Sequence, residues 1–234
     1  MKANRYLPAL GFGLAAAAFL LAGERRTGGL DKANLDLPYN TAGGREDGED
    51  APEVVVFYGH SVEADGVVFC LDRSMSMGDG EWATLKCELT RAVSELSSAS
   101  EFGLVFFDSE AVVYPQNRTP ARASAANKAA TLAWAQAMEP SQRSTCLLEG
   151  LKAAIEVVSR ATVKKKAILF LSDGKATCVG QDSVTYTERT LREVKELNSQ
   201  RVPIHALGLG YDAAEHFLKA LAAENGGTYR RIQN

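Results

Sequence analysis

Beyond residue 53 the chain is one sustained alternation of two patterns, and that alternation constrains its fold more than any other feature. Short runs of β-branched and aromatic residues stand at 54–58 (VVVFY), 67–71 (VVFCL), 103–107, 111–114, 167–171 (AILFL), 203–209 and 228–232. Between them lie helix-like stretches at 82–96, 121–138, 147–159, 183–199 and 213–224, the second stopped by Pro140. In the first of these, Trp82, Leu85, Leu89, Ala92, Val93 and Leu96 share one helical face. Strands that alternate with helices of roughly 12 to 17 residues make βαβ units, and such units build a mostly parallel sheet covered on both faces. The fold class expected is therefore α/β, an open doubly wound domain. Asp108-Ser109-Glu110 joins 103–107 to 111–114 too tightly for a crossover, so one edge strand should run antiparallel.

The rest of the 234 residues divides in two. Residues 1–23 have Lys2 and Arg5 ahead of an apolar run of roughly 15 residues, then Glu24, Arg25 and Arg26. This reads as an export signal or a membrane anchor; a full span takes about 20 apolar residues, and the small-x-small cleavage pattern is poor. Residues 24–53, rich in Gly, Asn, Pro, Asp and Glu, read as a disordered linker with an acidic end. The α/β domain occupies 54–234, and the organisation expected is a domain held at a membrane or exported beyond it. The formal charge of −3 argues against a nucleic-acid binder. Four cysteines are too few for a disulfide scaffold, and three histidines too few for a His-rich metal site.

In doubly wound sheets ligands bind outside the carboxyl ends of the strands. The run VVFCL leads straight into Asp72-Arg73-Ser74-Met75-Ser76. Alternate side chains of a near-extended segment share a side, so Asp72, Ser74 and Ser76 converge. AILFL ends in Ser172-Asp173-Gly174, which brings a second carboxylate to the same edge, and Ser144-Thr145 precedes the helix near Leu147. Two carboxylates and three hydroxyls form an all-oxygen set suited to a hard cation, Mg2+ or Mn2+. Calcium wants more oxygens, and zinc wants His and Cys.

Asp-x-Ser-x-Ser after an apolar strand, a Thr before a central helix and Ser-Asp-Gly after a second strand together resemble the von Willebrand factor type A (VWA) domain. The resemblance covers residues 66–232 and includes the order of the elements. It implies a Rossmann-like VWA fold with a metal-ion-dependent adhesion site (MIDAS), whose metal ligands here are Asp72, Ser74, Ser76, Thr145 and Asp173. It also implies a protein partner that completes the metal's shell with a Glu or Asp carboxylate. Two positions depart from the family pattern: Met75 stands where Gly is usual, and Arg143-Ser144 where Gly-Gly is common.

Other features are weaker. The segment 208–213 (GLGYDA) formally fits a dinucleotide fingerprint, but too little chain follows for a complete βαβ unit. Asp and Ser after a strand also cap helices, so Asp72-Arg73-Ser74 alone would signify little. Cys70 is expected to be a buried thiol, and Cys87 lies about 160° around the helix from Leu89, facing outward. Cys146 and Cys178 are expected to approach each other near the site; they are bridged if the domain is exported, and free in a reducing compartment. The function expected is a non-enzymatic, metal-dependent protein-binding module. Two alternatives stand beside it: a metal-dependent phosphoryl-transfer or hydrolase enzyme with Asp72 as nucleophile, and a structural subunit of an envelope complex. The enzyme lacks an evident general acid or base, and Ser74 replaces the second Asp of an Asp-x-Asp pattern.

Overall fold

The computed structural model describes residues 53–232 except 76, 179, 181 and 211–213. The chain enters through a hairpin of β1 (Val54–Phe57) and β2 (His60–Glu63), which forms its own two-stranded antiparallel sheet. There follow β3 (Gly66–Asp72), α1 (Asp79–Glu95), β4 (Glu101–Phe107), β5 (Ala111–Tyr114), β6 (Ala121–Arg122), α2 (Ala125–Gln136) and α3 (Leu147–Ser159). The domain ends with β7 (Lys166–Ser172), α4 (Ser183–Leu197), β8 (Ile204–Leu209), α5 (Glu215–Glu224) and β9 (Tyr229–Ile232).

The main sheet has seven strands in the order β5-β4-β3-β7-β8-β9, with β6 also beside β4. β3 pairs in parallel with both β4 and β7, β7 with β8, and β8 with β9. β5 and β6 run antiparallel to β4. The expected doubly wound, mostly parallel α/β sheet with an antiparallel edge strand is what forms. The chain begins the sheet at β3, builds outward to β4, then crosses back to β7 on the other side of β3. The order of strands therefore reverses around β3, and a ligand crevice belongs at its carboxyl end.

Each inner strand is buried on both faces, and alternate residues serve opposite cores. Val67, Phe69 and Leu71 join Leu85, Leu89, Phe106 and the hairpin residues Val55, Phe57 and Val62 in one cluster. Val68 and Cys70 join Phe107, Leu147, Leu151, Phe170 and Leu218 in the other. The first cluster packs under α1, and all six residues assigned to the apolar face of that helix are buried. The second packs under α3 and α5.

Several boundaries differ from expectation. Residues 121–138 are not one helix: Ala121 and Arg122 pair with Phe102 and Glu101, and α2 starts only after Ser124, whose Oγ accepts the Asn127 N–H at 3.3 Å. The helix ends at Gln136, before Pro140. α5 starts at Glu215, and residues 211–213 of the dinucleotide-like segment lie outside the described residues. β2 has no counterpart in the sequence reading. Segments 1–23 and 24–53 lie outside the described residues apart from Glu53. Among the described residues no helix is long and apolar enough to cross a membrane.

Candidate metal centre

Asp72 is the last residue of β3 and is fully buried. Its carboxylate is held from two directions. The Ser74 N–H donates to Oδ1 at 2.8 Å, a turn that Asp forms readily with the backbone two residues on, and the Ser172 hydroxyl donates to Oδ2 at 2.6 Å. Burial pushes the Asp72 carboxyl up to about 6, the nearby Asp173 charge adds to the rise, and the hydrogen bonds from Ser172 and Ser74 work against it. Asp173 follows β7 and is half-buried; its Oδ1 accepts the Lys175 N–H at 3.0 Å. Gly174 takes φ +71°, the left-handed turn that lets the chain fold back at this edge, and donates its N–H to Ser172 Oγ at 2.9 Å.

The third segment arrives from the loop before α3. Thr145 is buried, and its hydroxyl donates to Ser74 Oγ at 2.8 Å across 71 residues of sequence. Its N–H donates to Thr177 Oγ1 at 2.8 Å, while the Thr177 N–H donates to the Thr145 carbonyl at 3.1 Å. The next residue, Cys146, is disulfide-bonded to Cys178. The other two cysteines are free, Cys70 buried and Cys87 exposed, as their positions in the sequence suggest.

Asp72, Ser74, Thr145 and Asp173 thus gather at the carboxyl end of the central strands. Ser76 lies outside the described residues. A cleft of about 330 Å³ opens beside them, lined by Met75, Arg143, Thr145, Asp173, Lys175 and Thr177 among others. Met75 stands exposed at this rim (66%), and Arg143 is paired with Glu110 at 3.1 Å. A larger cleft of about 610 Å³ lies at Lys195, Arg201 and Glu224, away from every strand-end carboxylate, so size does not mark the site.

The donor set suits a hard divalent cation. Every candidate ligand offers oxygen, and a cation beside Asp72 would favour its ionised form, which burial and Asp173 disfavour. Among the described residues no cluster of three or more His, Cys, Asp or Glu offers a softer alternative.

Three supporting groups had no role assigned from sequence. Ser172 orients Asp72, and Thr177 orients Thr145. Arg73 pairs with the fully buried Asp108 at 2.8 Å, while its N–H donates to the Phe107 carbonyl and its own carbonyl accepts the Ser141 N–H. A second polar cluster lies elsewhere: His60 Nε2 and His205 Nδ1 each stand 2.9 Å from Thr228 Oγ1.

Comparison with known proteins agrees with this fold. Human inter-alpha-trypsin inhibitor heavy chain H4 is 29% identical over 173 residues, covering 71% of this chain and 18% of that protein, so the chain spans about a fifth of this relative's length. A von Willebrand factor type A protein from Catenulispora acidiphila shares the fold with a TM-score of 0.64 and 20% identity, over 74% of this chain and 40% of that one. Proximal thread matrix protein 1 from the mussel byssus, in a form with a zinc-occupied MIDAS motif, gives a TM-score of 0.51 at 20% identity, over 76% and 45% of the two chains. The family model for the von Willebrand factor type A domain matches residues 66–234, and the chain belongs to that family.

Proposed function

We propose that this domain is a binding module that holds a divalent cation, Mg2+ or Mn2+, through Asp72, Ser74, Ser76, Thr145 and Asp173, and captures a protein partner whose Glu or Asp carboxylate completes the metal's shell. The observation that carries this reading is the meeting of three distant segments. Thr145 Oγ1 reaches Ser74 Oγ at 2.8 Å beside the buried Asp72, with Asp173 close enough to raise its pKa. Membership of the VWA family supports it, as does the zinc-occupied MIDAS of the mussel neighbour. The cation supplies an electrophilic centre for an outside carboxylate; the chain's own residues orient the ligands and exclude water from Asp72.

The same geometry speaks against turnover. Asp72 is fully buried with a hydrogen bond on each carboxylate oxygen; a small cation can share such an oxygen, whereas in-line attack on a bulky phosphoryl group needs an open path that burial disfavours. Residues 1–23 attach the module to a membrane or direct its export, and 24–53 space it from the surface; alkaline extraction of membranes distinguishes retention from release. No nucleic-acid partner is proposed.

Manganese titration followed by electron paramagnetic resonance tests the reading directly. The wild-type chain should take up one ion, and Asp72→Ala should lose it while retaining its far-UV circular dichroism. Equal uptake by the variant would reject the site. Partner capture should likewise require Mg2+ and fail in chelator; capture that persists in chelator would show that no cation bridges the two proteins.

A further inference from the structure

The Cys146–Cys178 bridge joins the two segments that carry Thr145 and Asp173, at a sequence separation of 32. Cys146 follows Thr145 directly. Cys178 closes a stretch, 173–178, that contains neither helix nor strand. Just inside the bridge, Thr145 and Thr177 exchange two hydrogen bonds, N–H to Oγ1 and N–H to carbonyl. On its inner side the Cys146 N–H donates to the Asp108 carbonyl at 2.8 Å. The bridge and these bonds set where Thr145 sits, and Thr145 is the residue that touches Ser74 Oγ.

The fold has anchors of its own apart from this link. α3 is anchored by Leu147, Leu148, Leu151, Ala154 and Val157, and the sheet by its own ladders. Opening the bridge therefore acts first on an irregular segment whose remaining ties to Thr145, among the described residues, are the two hydrogen bonds, each individually weak.

Resting on the cation reading above, we propose that the Cys146–Cys178 bridge is a positioning element of the cation site: closed, it holds Thr145 and the 173–178 segment at the spacing that binds the ion, and opened, it lets the site loosen and release it. The switch requires an external dithiol. One of its thiolates attacks Cys178 Sγ, since Cys178 is half-buried whereas Cys146 is buried. The S–S bond breaks, Cys146 departs as a thiolate and takes a proton, and the second thiolate of the reagent resolves the mixed disulfide. Both cysteines end as thiols and the dithiol ends oxidised.

The full chain carrying Cys87→Ser, which removes the exposed free thiol, is the material for the test. Mn2+ affinity is measured oxidised, after dithiol treatment with opening verified by mass, and after reoxidation. Amide hydrogen exchange at Thr145 and Thr177 is followed without metal. Opening should weaken Mn2+ binding about 10- to 100-fold, the range seen when groups supporting a ligand are lost, and speed exchange at both amides. Reoxidation should restore both, and Cys146→Ser/Cys178→Ser should match the opened form. Unchanged affinity, or a fall without faster exchange at those amides, overturns the proposal. Loss of far-UV signal in both the opened form and the double variant assigns the bridge to the fold and also overturns it. An oxidised chain that takes up no Mn2+ refutes the cation reading itself, a separate result.

Discussion

Asp72 is shaped by its neighbours before any ion is considered. Its two oxygens are pinned by Ser74 and Ser172, and the residue after it, Arg73, ties the strand end to Asp108. Asp108 is fully buried, whereas the Arg73 side chain retains 18% exposure, so the pair keeps one end in water. Arg73→Ala removes the ion-pair partner of that carboxylate, although the Glu110 N–H and the Ser109 hydroxyl still donate to Oδ1 at 2.9 and 3.3 Å and the Arg143 charge remains nearby. We expect a loss of roughly 1–3 kcal/mol in urea unfolding, the scale of leaving a buried polar group without its partner, with an unchanged m-value. A loss below roughly 0.5 kcal/mol, the scale of ordinary surface substitutions, would show that the pair contributes little. Asp72 and Asp173 were legible because a carboxylate ending an apolar strand of a parallel sheet sits at the ligand edge by construction. Ser172 was not, because a serine at a strand end has many uses and its bond to Asp72 spans 100 residues. Thr145 was placed at the ligand edge by its position just before α3, and only the fold shows that it touches Ser74.

The helix α3 brings Thr145 and Cys146 to the sheet edge, and its position depends on one close approach. A Cβ placed on Gly150 would stand 2.5 Å from Phe107 Cγ and 2.6 Å from Cδ1. Phe107 is fully buried and stacks on Phe170 with ring centroids 5.4 Å apart, so it has little room to retreat. Ala is favoured over Gly in a helix by about 1 kcal/mol, but overpacking a rigid core costs about 1–3 kcal/mol. The second effect should win here: Gly150→Ala lowers Tm, and because α3 is displaced from β4, Mn2+ affinity falls with it. A variant of raised Tm would mean that the helix–sheet gap yields freely. The same balance of local and tertiary forces explains which elements the sequence made legible. Strands such as AILFL are read from their apolar β-branched runs, and α3 from a face of Leu, Ala, Ile and Val. Residues 121–124 look helical because alanine favours helix, yet Ala121–Arg122 find partners on β4, and only then does Ser124 cap α2. β2 escaped notice because His60-Ser61-Val62-Glu63 has a single apolar residue; Val62 is buried only because β1 and β2 fold onto the first core.

At the scale of the whole domain, that hairpin is also joined to the far edge of the sheet. Arg230 of β9 donates to the Gly59 carbonyl at 2.5 Å, and His60 meets His205 of β8 through Thr228, 168 residues from His60. No periodicity or motif could forecast such a cluster, since it exists only once both ends of the domain are packed. The Thr228 N–H donates to His205 Nδ1 at 3.3 Å, so Nδ1 serves as acceptor. The Thr228 hydroxyl then donates to the same nitrogen while accepting from His60 Nε2. The His205 ring must be neutral for this arrangement, whereas His60 donates from Nε2 whether its ring is neutral or protonated. Burial, reinforced by His60, lowers His205 to about 4, and burial with the Arg230 charge lowers His60 below its usual value. An unfolded histidine takes up its proton near pH 6.5, whereas folded His205 refuses it until about pH 4. The unfolded state thus binds more protons within that window, and stability rises with pH across it. The contribution is complete above pH 6.5 and is lost as pH falls toward 4, moderated because both rings keep some contact with solvent. Urea midpoints measured at intervals from pH 7 to 5 combine this decline on acidification with an opposing contribution from Asp72, which the folded state protonates near pH 6. The comparison of wild type with histidine variants therefore carries the test. The slope should flatten in His205→Gln, and flatten further in the variant that also carries His60→Gln. A slope identical to the wild type in both variants would place the proton uptake elsewhere.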